Sequence, residues 1–134
     1  MSMLARLSRA YADRVRKAVV RIKASDLTAA AHSQAIAFGD IPAEAIIIGY
    51  RAKVAVAFSD GAAGVFTVSL GDGTTAALFA SALALGAIAK LVPAAGLSIL
   101  GDAGDAQFTA TVAAGVNVKN ATAGDVTITL FYIL

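Results

Sequence analysis

Most of the chain alternates between apolar and polar or small residues with a period of two, which is typical of half-buried strands. The longest run places seven side chains on one predicted inward face: Ile46, Ile48, Tyr50, Ala52, Val54, Val56 and Phe58. Shorter runs predict strands within residues 18–24, 36–38, 66–70, 108–113 and 126–134. Gly-Asp and Asp-Gly turn signals separate several of these runs, so the pattern predicts an all-β sandwich or barrel and not βαβ units.

Two segments carry apolar residues at helical spacing instead. Leu4, Leu7, Tyr11 and Val15 recur every three or four positions, which predicts an amphipathic helix or arm over residues 3–16. From residue 18 the period changes to two. Residues 76–92 fit either a helix or two short strands, because an apolar period alone does not distinguish them.

The composition excludes several functional classes. The 134 residues predict one domain, and the absence of Cys with a single His excludes disulfide scaffolds, thiolate zinc sites and His clusters. Apolar residues make up 58% of the chain, but 33 of them are Ala, so the core is ordinary in size. With Glu44 as its one Glu and no acid–base pair, the chain is expected not to be an enzyme.

Aspartates lie beside glycines at residues 60–61, 72–73 and 101–105. Calcium favours such oxygen-rich loops, but the 12-residue calcium pattern is missing and Asp also favours turns, so we predict turns. The segment at 71–75 lacks the lysine of a phosphate-binding loop. His32 has no second ligand or nucleophile beside it, which predicts a surface or loop-capping role. No metal or cofactor is expected.

Charge is distributed unevenly along the chain. Residues 1–23 hold seven basic residues and one acid, whereas residues 24–134 hold four basic residues and eight acids. A basic N-terminal arm requires an acidic partner surface, unless it is simply a solvated face that keeps the protein in solution. The residues predicted to form a contact surface are basic side chains with apolar neighbours: Arg6, Arg9, Arg14, Arg16 and Lys17, beside Leu4, Leu7 and Tyr11.

Membranes and nucleic acids are weaker candidates for that partner. The uncharged run from Thr74 to Ala89 has 16 residues, which is shorter than a membrane span. Binding of single strands uses exposed aromatic rings, whereas the aromatic residues here fall mostly on predicted inward faces. The acidic body also argues against a groove that follows a phosphate backbone. Binding of nucleic acid through the basic arm stays an alternative.

Three segments resemble the small structural proteins of tailed bacteriophages, in particular the jelly-roll cement (decoration) proteins of their capsids. Gly39-Asp-Ile-Pro-Ala-Glu-Ala45 leads into Ile47-Ile-Gly-Tyr-Arg-Ala-Lys-Val54, and the chain closes on Thr122-Ala-Gly-Asp-Val-Thr-Ile-Thr-Leu-Phe-Tyr132. The resemblance spans residues 18–134. It implies a non-enzymatic protein that binds the major capsid protein on the outer surface of the virion and holds the shell against packaged DNA. It also implies a homodimer or homotrimer.

The sequence therefore predicts a basic N-terminal arm or short helix (residues 1–17) joined to a jelly-roll-like antiparallel β-sandwich (residues 18–134). The expected function is that of a capsid cement protein anchored by its arm. A tail or fibre-attachment protein is an alternative, because similar sandwiches occur there and a shared fold does not fix the role.

Overall fold

The computed structural model describes residues 15–42, 45–62, 64–92, 101–102 and 107–133. These residues form strands that pair in antiparallel fashion throughout. The strands are β1 (Val15–Lys23), β2 (Ser33–Asp40), β3 (Ile46–Ser59), β4 (Phe66–Gly71), β5 (Ala80–Ala84), β6 (Ala89–Leu91), β7 (Gly101–Asp102), β8 (Gln107–Ala114) and β9 (Ala123–Ile133). Short 3-10 turns at Ala24–Asp26 and Val118–Asn120 follow β1 and β8.

The strands form two sheets packed face to face. One sheet has the order β1-β9-β3-β6, with the two-residue β7 paired to β3, and the other has the order β2-β8-β4-β5. Strands from the two ends of the chain therefore lie side by side, β1 with β9 and β2 with β8, while the middle pairs β3 with β6 and β4 with β5. This nested arrangement is that of a jelly roll. The predicted all-β jelly-roll-like sandwich is confirmed.

The core lies between the sheets and is built by alternation along each strand. Alternate residues of β4 and of the middle of β9 point inward and are fully buried: Phe66, Val68, Leu70, Val126, Ile128 and Leu130. Phe108, near the start of β8, is fully buried, with ring centroids 5.5 Å from Tyr132 and 6.0 Å from Phe38. Burying a side chain of this kind contributes about 1.5–3 kcal/mol, so these rows are what hold the two sheets together.

The long strand β3 does not keep one inward face. Its pairing with β9 shifts register between Ile47 and Gly49 and again between Val54 and Val56. Each extra residue exchanges the two faces of the strand. Ile47, which the period of two places outward, is fully buried, and Val56, which it places inward, is 45% exposed. The predicted face was therefore wrong at these positions, because apolar alternation carries no sign of a bulge.

The structure describes one of the two segments with helical spacing in full and only the last two residues of the other. Within residues 76–92 the structure has the strands β5 and β6, so the two-strand alternative is correct. Of the helix predicted over residues 3–16, positions 3–14 lie outside the described residues. Val15 and Arg16 belong to β1, where Val15 pairs with Ile133 and Arg16 with Tyr132. The helical expectation is wrong at these two residues, since β9 provides backbone partners that a helix would forgo.

Gly124 at the start of β9 makes room for a core ring. Its φ is +153°, and a Cβ built there would overlap the ring of Phe58, which is only 3% exposed. Phe58 in turn packs against Phe66 at a ring-centroid distance of 6.2 Å. The glycine therefore allows β9 to pass directly over the aromatic end of the core.

We expect Gly124→Ala to lower the free energy of unfolding by about 2–3 kcal/mol, because the new methyl group must displace the Phe58 ring in a packed core. Urea unfolding followed by circular dichroism measures the change. Gly86→Ala is the matched control, since no atom lies within 4 Å of a Cβ at Gly86, and it should change stability by less than about 0.5 kcal/mol. Equal effects of the two substitutions would contradict this account of Gly124.

Candidate binding surface

The residues predicted to form the anchor fall into two groups. Six of them lie outside the described residues: Leu4, Arg6, Leu7, Arg9, Tyr11 and Arg14. Arg16 and Lys17 are exposed on β1, in register with Tyr132 and Phe131 respectively. Because successive side chains of a strand point to opposite faces, Arg16 and Lys17 belong to different faces of the sheet. Only Lys17 shares a face with the basic residues described next.

Six basic side chains lie on the outer face of the β1-β9-β3-β6 sheet, which we call the basic face. Within each strand the cations are two or four residues apart, so their side chains point to the same face. The register of the strands then places the cations of β1, β3 and β6 on one surface. All six residues are exposed. They are Lys17, Arg21 and Lys23 from β1, Arg51 and Lys53 from β3, and Lys90 from β6.

One row of this face crosses all four strands. The register aligns Arg21 with Thr127, Thr127 with Lys53, and Lys53 with Lys90. Since neighbouring strands are about 4.8 Å apart, Arg21 and Lys53 are about 10 Å apart across the sheet at the backbone, and Lys53 and Lys90 about half that. The row thus presents three cations across a width of about 15 Å.

A shallow groove lies along the centre of the basic face. It has a volume of about 240 Å³ and is lined by Arg51, Lys53, Thr127 and Thr129. The two threonines come from β9 and are short, so the longer cationic side chains of β3 stand above them. Threonine hydroxyls can donate or accept a hydrogen bond. The groove therefore combines charge with hydroxyl groups on a rigid strand floor.

Asp125 is an acid on the basic face, in register with Lys23 of β1. Arg21 donates to it through two nitrogens, Nε to Oδ1 at 3.0 Å and Nη2 to Oδ2 at 2.7 Å. These hydrogen bonds lower the pKa of the Asp125 carboxyl, and the charges of Arg21 and Lys23 lower that pKa further. The same pairing raises the pKa of the Arg21 guanidinium. Arg21 is thereby held in place along the surface of β9.

Lys53 and Lys90 have no such neutralising neighbour. They lie directly opposite each other on β3 and β6, and no described acid is within ion-pair distance of either. Like charges directly opposite each other on antiparallel strands are destabilising. The six cations outnumber the carboxylates on this face, so the face is positively charged. The ammonium groups of Lys53 and Lys90 thus repel each other, and an anion bound on this face would relieve that repulsion.

The outer face of the other sheet offers a direct contrast. Its central positions, taken from the pairing of β2, β8, β4 and β5, carry no charged side chain. They are Ser33, Ala35, Ala37, Thr67, Ser69, Ala84, Thr109, Thr111 and Ala113. The concentration of cations on the first sheet is therefore not a general property of the surface of this protein.

Apolar side chains are interspersed with the cations. Val19 and Val56 lie on the same outer face and are 52% and 45% exposed. The large hydrophobic side chains that are exposed in the described ranges are all aliphatic. The aromatic rings predicted to lie inward are buried at Phe58, Phe66 and Phe108. Phe131, in register with Lys17, lies on the basic face and is partly buried, whereas stacking of bases uses exposed rings.

The Asp-Gly segments at 60–61 and 72–73 are turns, as predicted, whereas Gly101–Asp102 forms strand β7 and positions 103–105 lie outside the described residues. The Asp72 carboxylate is buried, and its Oδ1 accepts hydrogen bonds from the backbone N–H groups of Thr74 at 3.0 Å and Thr75 at 2.6 Å. Asp60 accepts a bond from Ala62 N–H at 2.9 Å in the same way. No group of His, Cys, Asp and Glu residues suited to a metal occurs among the described residues.

Two smaller predictions can also be placed. His32 is exposed beside β2, as expected for a surface residue. In the described part of the chain, no helix has the length and apolar character needed to cross a membrane.

Chains from two bacteriophage capsids share this fold. A chain of the cyanophage Pam1 capsid asymmetric unit aligns over 90% of this chain and 84% of its own length, with a TM-score of 0.63 and 18% identity. A chain of the acidic stable capsid structure of Helicobacter pylori bacteriophage KHP30 aligns over 90% and 87%, with a TM-score of 0.57 and 14% identity. No family model and no curated protein matches the sequence. At these identities the likeness concerns the fold.

Sequence reasoning missed the basic face as a unit. The net charge of residues 24–134 is negative, and this sum conceals Arg51, Lys53 and Lys90, because most of the described acids lie in or beside turns. The sequence did contain one sign of this face, since Arg51 and Lys53 occupy alternate positions of a predicted strand and therefore share one of its faces. What the sequence could not supply was the register that places them opposite β9 and beside β1.

We expect Asp125→Asn to be less stable than the wild type at pH 7, because it removes the charge that holds Arg21. The pKa of Asp125 is lowered in the folded state, so its contribution is present above the unfolded value of about 3.9 and is lost as the pH falls through the lower folded value. Urea unfolding at pH 7 and near pH 3 measures this dependence. A stability difference that persists undiminished in acid would contradict the role assigned to the charge.

Proposed function

We propose that the protein is a structural component of a tailed-phage virion that binds the outside of the capsid shell as a cement protein. The observation that carries the proposal is the likeness of fold, over 90% of the chain, to chains from two phage capsid structures. The coverage of those chains, 84% and 87%, means that the compared units have similar size. The segments at 39–54 and 122–132 that resemble phage cement proteins support the same role.

The architecture suits a mechanical role better than a chemical one. A two-layer sandwich with a closely packed core is rigid, and its flat outer faces can lie against another protein. The described residues bring together no nucleophile, base and oxyanion donor of the kind that catalysis requires. We therefore propose that the protein acts by binding alone, bridging shell subunits so that they resist the pressure of packaged DNA.

The N-terminal arm is the proposed anchor. Its contact residues are Arg6, Arg9, Arg14, Arg16 and Lys17, with Leu4, Leu7 and Tyr11 beside them, and its partner is the major capsid protein. The protein itself would be a homodimer or homotrimer placed on a symmetry axis of the shell. Several weak contacts made at once by such an assembly raise the overall avidity by about 10²–10⁴.

The first test is the copy number of the protein in purified virus particles. Quantitative mass spectrometry referenced to the major capsid protein should give hundreds of copies per particle, in a fixed ratio to the shell subunit. A handful of copies would instead favour a tail or fibre protein. Absence from the particles would overturn the virion proposal and favour binding of nucleic acid.

The second test is removal of the arm. We expect a chain lacking residues 1–14 to remain folded and to bind purified shells at least about tenfold more weakly, because linked contacts multiply in affinity. The deletion ends at residue 14 because Val15–Lys23 is paired with β9, and a longer deletion would damage the sheet. Sedimentation with shells that lack the protein measures binding. Unchanged affinity of the folded deletion variant would overturn the anchor role of the arm.

A further inference from the structure

We infer that the basic face itself docks on the shell, by receiving a carboxylate-bearing segment of the capsid protein along Arg51 and Lys53 of the groove and Lys90 on the neighbouring strand β6. This inference rests on the proposed function for the identity of the partner. The chemistry it assigns is independent of that identity: the face fits an acidic protein surface with aliphatic neighbours. It adds a second contact, made by the folded body, to the contact proposed for the arm.

The first argument is electrostatic. Lys53 and Lys90 are opposed across β3 and β6 without a described acid at ion-pair distance. A carboxylate between the two ammonium groups would replace a repulsion by two attractions. Charge-assisted hydrogen bonds of this kind are shorter and stronger than neutral ones. An anion bound by this pair of lysines therefore gains more binding free energy than an anion bound by a single exposed lysine.

The second argument is geometric. Arg51 and Lys53 stand two residues apart on one strand, beside Thr127 and Thr129 of β9, around a groove of about 240 Å³. A guanidinium presents paired donors that match the two oxygens of a carboxylate. The strand floor is rigid because β9 is paired on both sides, with β1 and with β3. Asp or Glu side chains would therefore meet donors that are already in position.

The third argument concerns the class of macromolecule. Val19 and Val56 are about half exposed within the same face, and cations mixed with aliphatic side chains are suited to a protein surface. A single-stranded nucleic acid would instead use well-exposed aromatic rings, whereas Phe131, the ring in register with Lys17, is partly buried and the large hydrophobic residues exposed in the described ranges are aliphatic. The observations favour a protein partner.

The arm and the face are placed so that they can act together. Residue 14 precedes the described strand β1, and β1 is the edge strand of the sheet that carries the basic face. The arm therefore joins the body at this sheet, and Lys17 belongs to both the proposed arm and the basic face. Contacts by the arm and by the face would then be linked by a short chain, which favours simultaneous binding.

The test compares single charge reversals in the full-length chain. Lys53→Glu and Lys90→Glu alter the face, and Lys119→Glu is the control, because Lys119 is an exposed lysine in the 3-10 turn after β8. All three substitutions change the net charge equally. Binding to purified shells that lack the protein is measured by sedimentation at physiological ionic strength, and thermal unfolding is measured in parallel.

We expect Lys53→Glu and Lys90→Glu each to weaken shell binding at least tenfold, and Lys119→Glu to change it less than twofold. Neither face variant should unfold at a lower temperature than the wild type, because each reversal turns a like-charge pair into an opposite-charge pair. Equal binding losses in all three variants would overturn the inference, since net charge alone would then explain them. Wild-type affinity in both face variants would overturn it as well.

A second probe separates this inference from the proposed function. Fluorescence anisotropy measures binding of the wild type and Lys90→Glu to labelled poly-glutamate and to a labelled duplex DNA. If the wild type fails to bind shells yet binds poly-glutamate through Lys90, the capsid role fails and the chemistry of the face stands. Loss of DNA binding alone in Lys90→Glu would assign the face to nucleic acid. Binding of neither probe nor shells would overturn both proposals.

Discussion

The pairing of β9 with a neighbour on each side is the interaction on which the rest of the structure depends. On its inner side β9 supplies Val126, Ile128 and Leu130 to the core, all fully buried. On its outer side Thr127 lies between Arg21 of β1 and Lys53 of β3. The core that holds the two sheets together and the surface that carries the cations are thus opposite faces of one strand. A change in the register of β9 would damage both.

The two outer faces of the sandwich differ in kind. One has six cations, a salt-bridged Asp125 and partly exposed valines, while the other has Ser, Thr and Ala in its central rows. Burial of the core does not require this difference between the outer faces, because either face could carry charges of both signs without affecting the interior. The asymmetry is therefore best understood in relation to a partner. It supports the proposal that the protein binds a partner through the basic face.

Much of the fold was predictable from the sequence, and particular residues show which features were not. The alternation around Phe66, Val68 and Leu70 places a strand and its inward face correctly, because each such residue contributes its own burial energy. The reversal at Ile47 and Val56 was not predictable, because a bulge depends on how β3 meets β9. Lys53 and Lys90 are 37 positions apart in the sequence, and only sheet register makes them neighbours. Local patterns identify elements, whereas long-range pairing creates the candidate surface.

The contrast between the two outer faces has a consequence for how the molecule would approach the acidic partner proposed for it. With six cations gathered on one side of a two-layer body, the described part of the sandwich has an uneven distribution of charge between its two outer faces. In the field of a negatively charged surface, such a body rotates before it makes contact. The fraction of encounters that begin with the competent side facing the target then exceeds the fraction expected from random tumbling. Orientation, and not only attraction, is thereby encoded in which sheet holds the lysines.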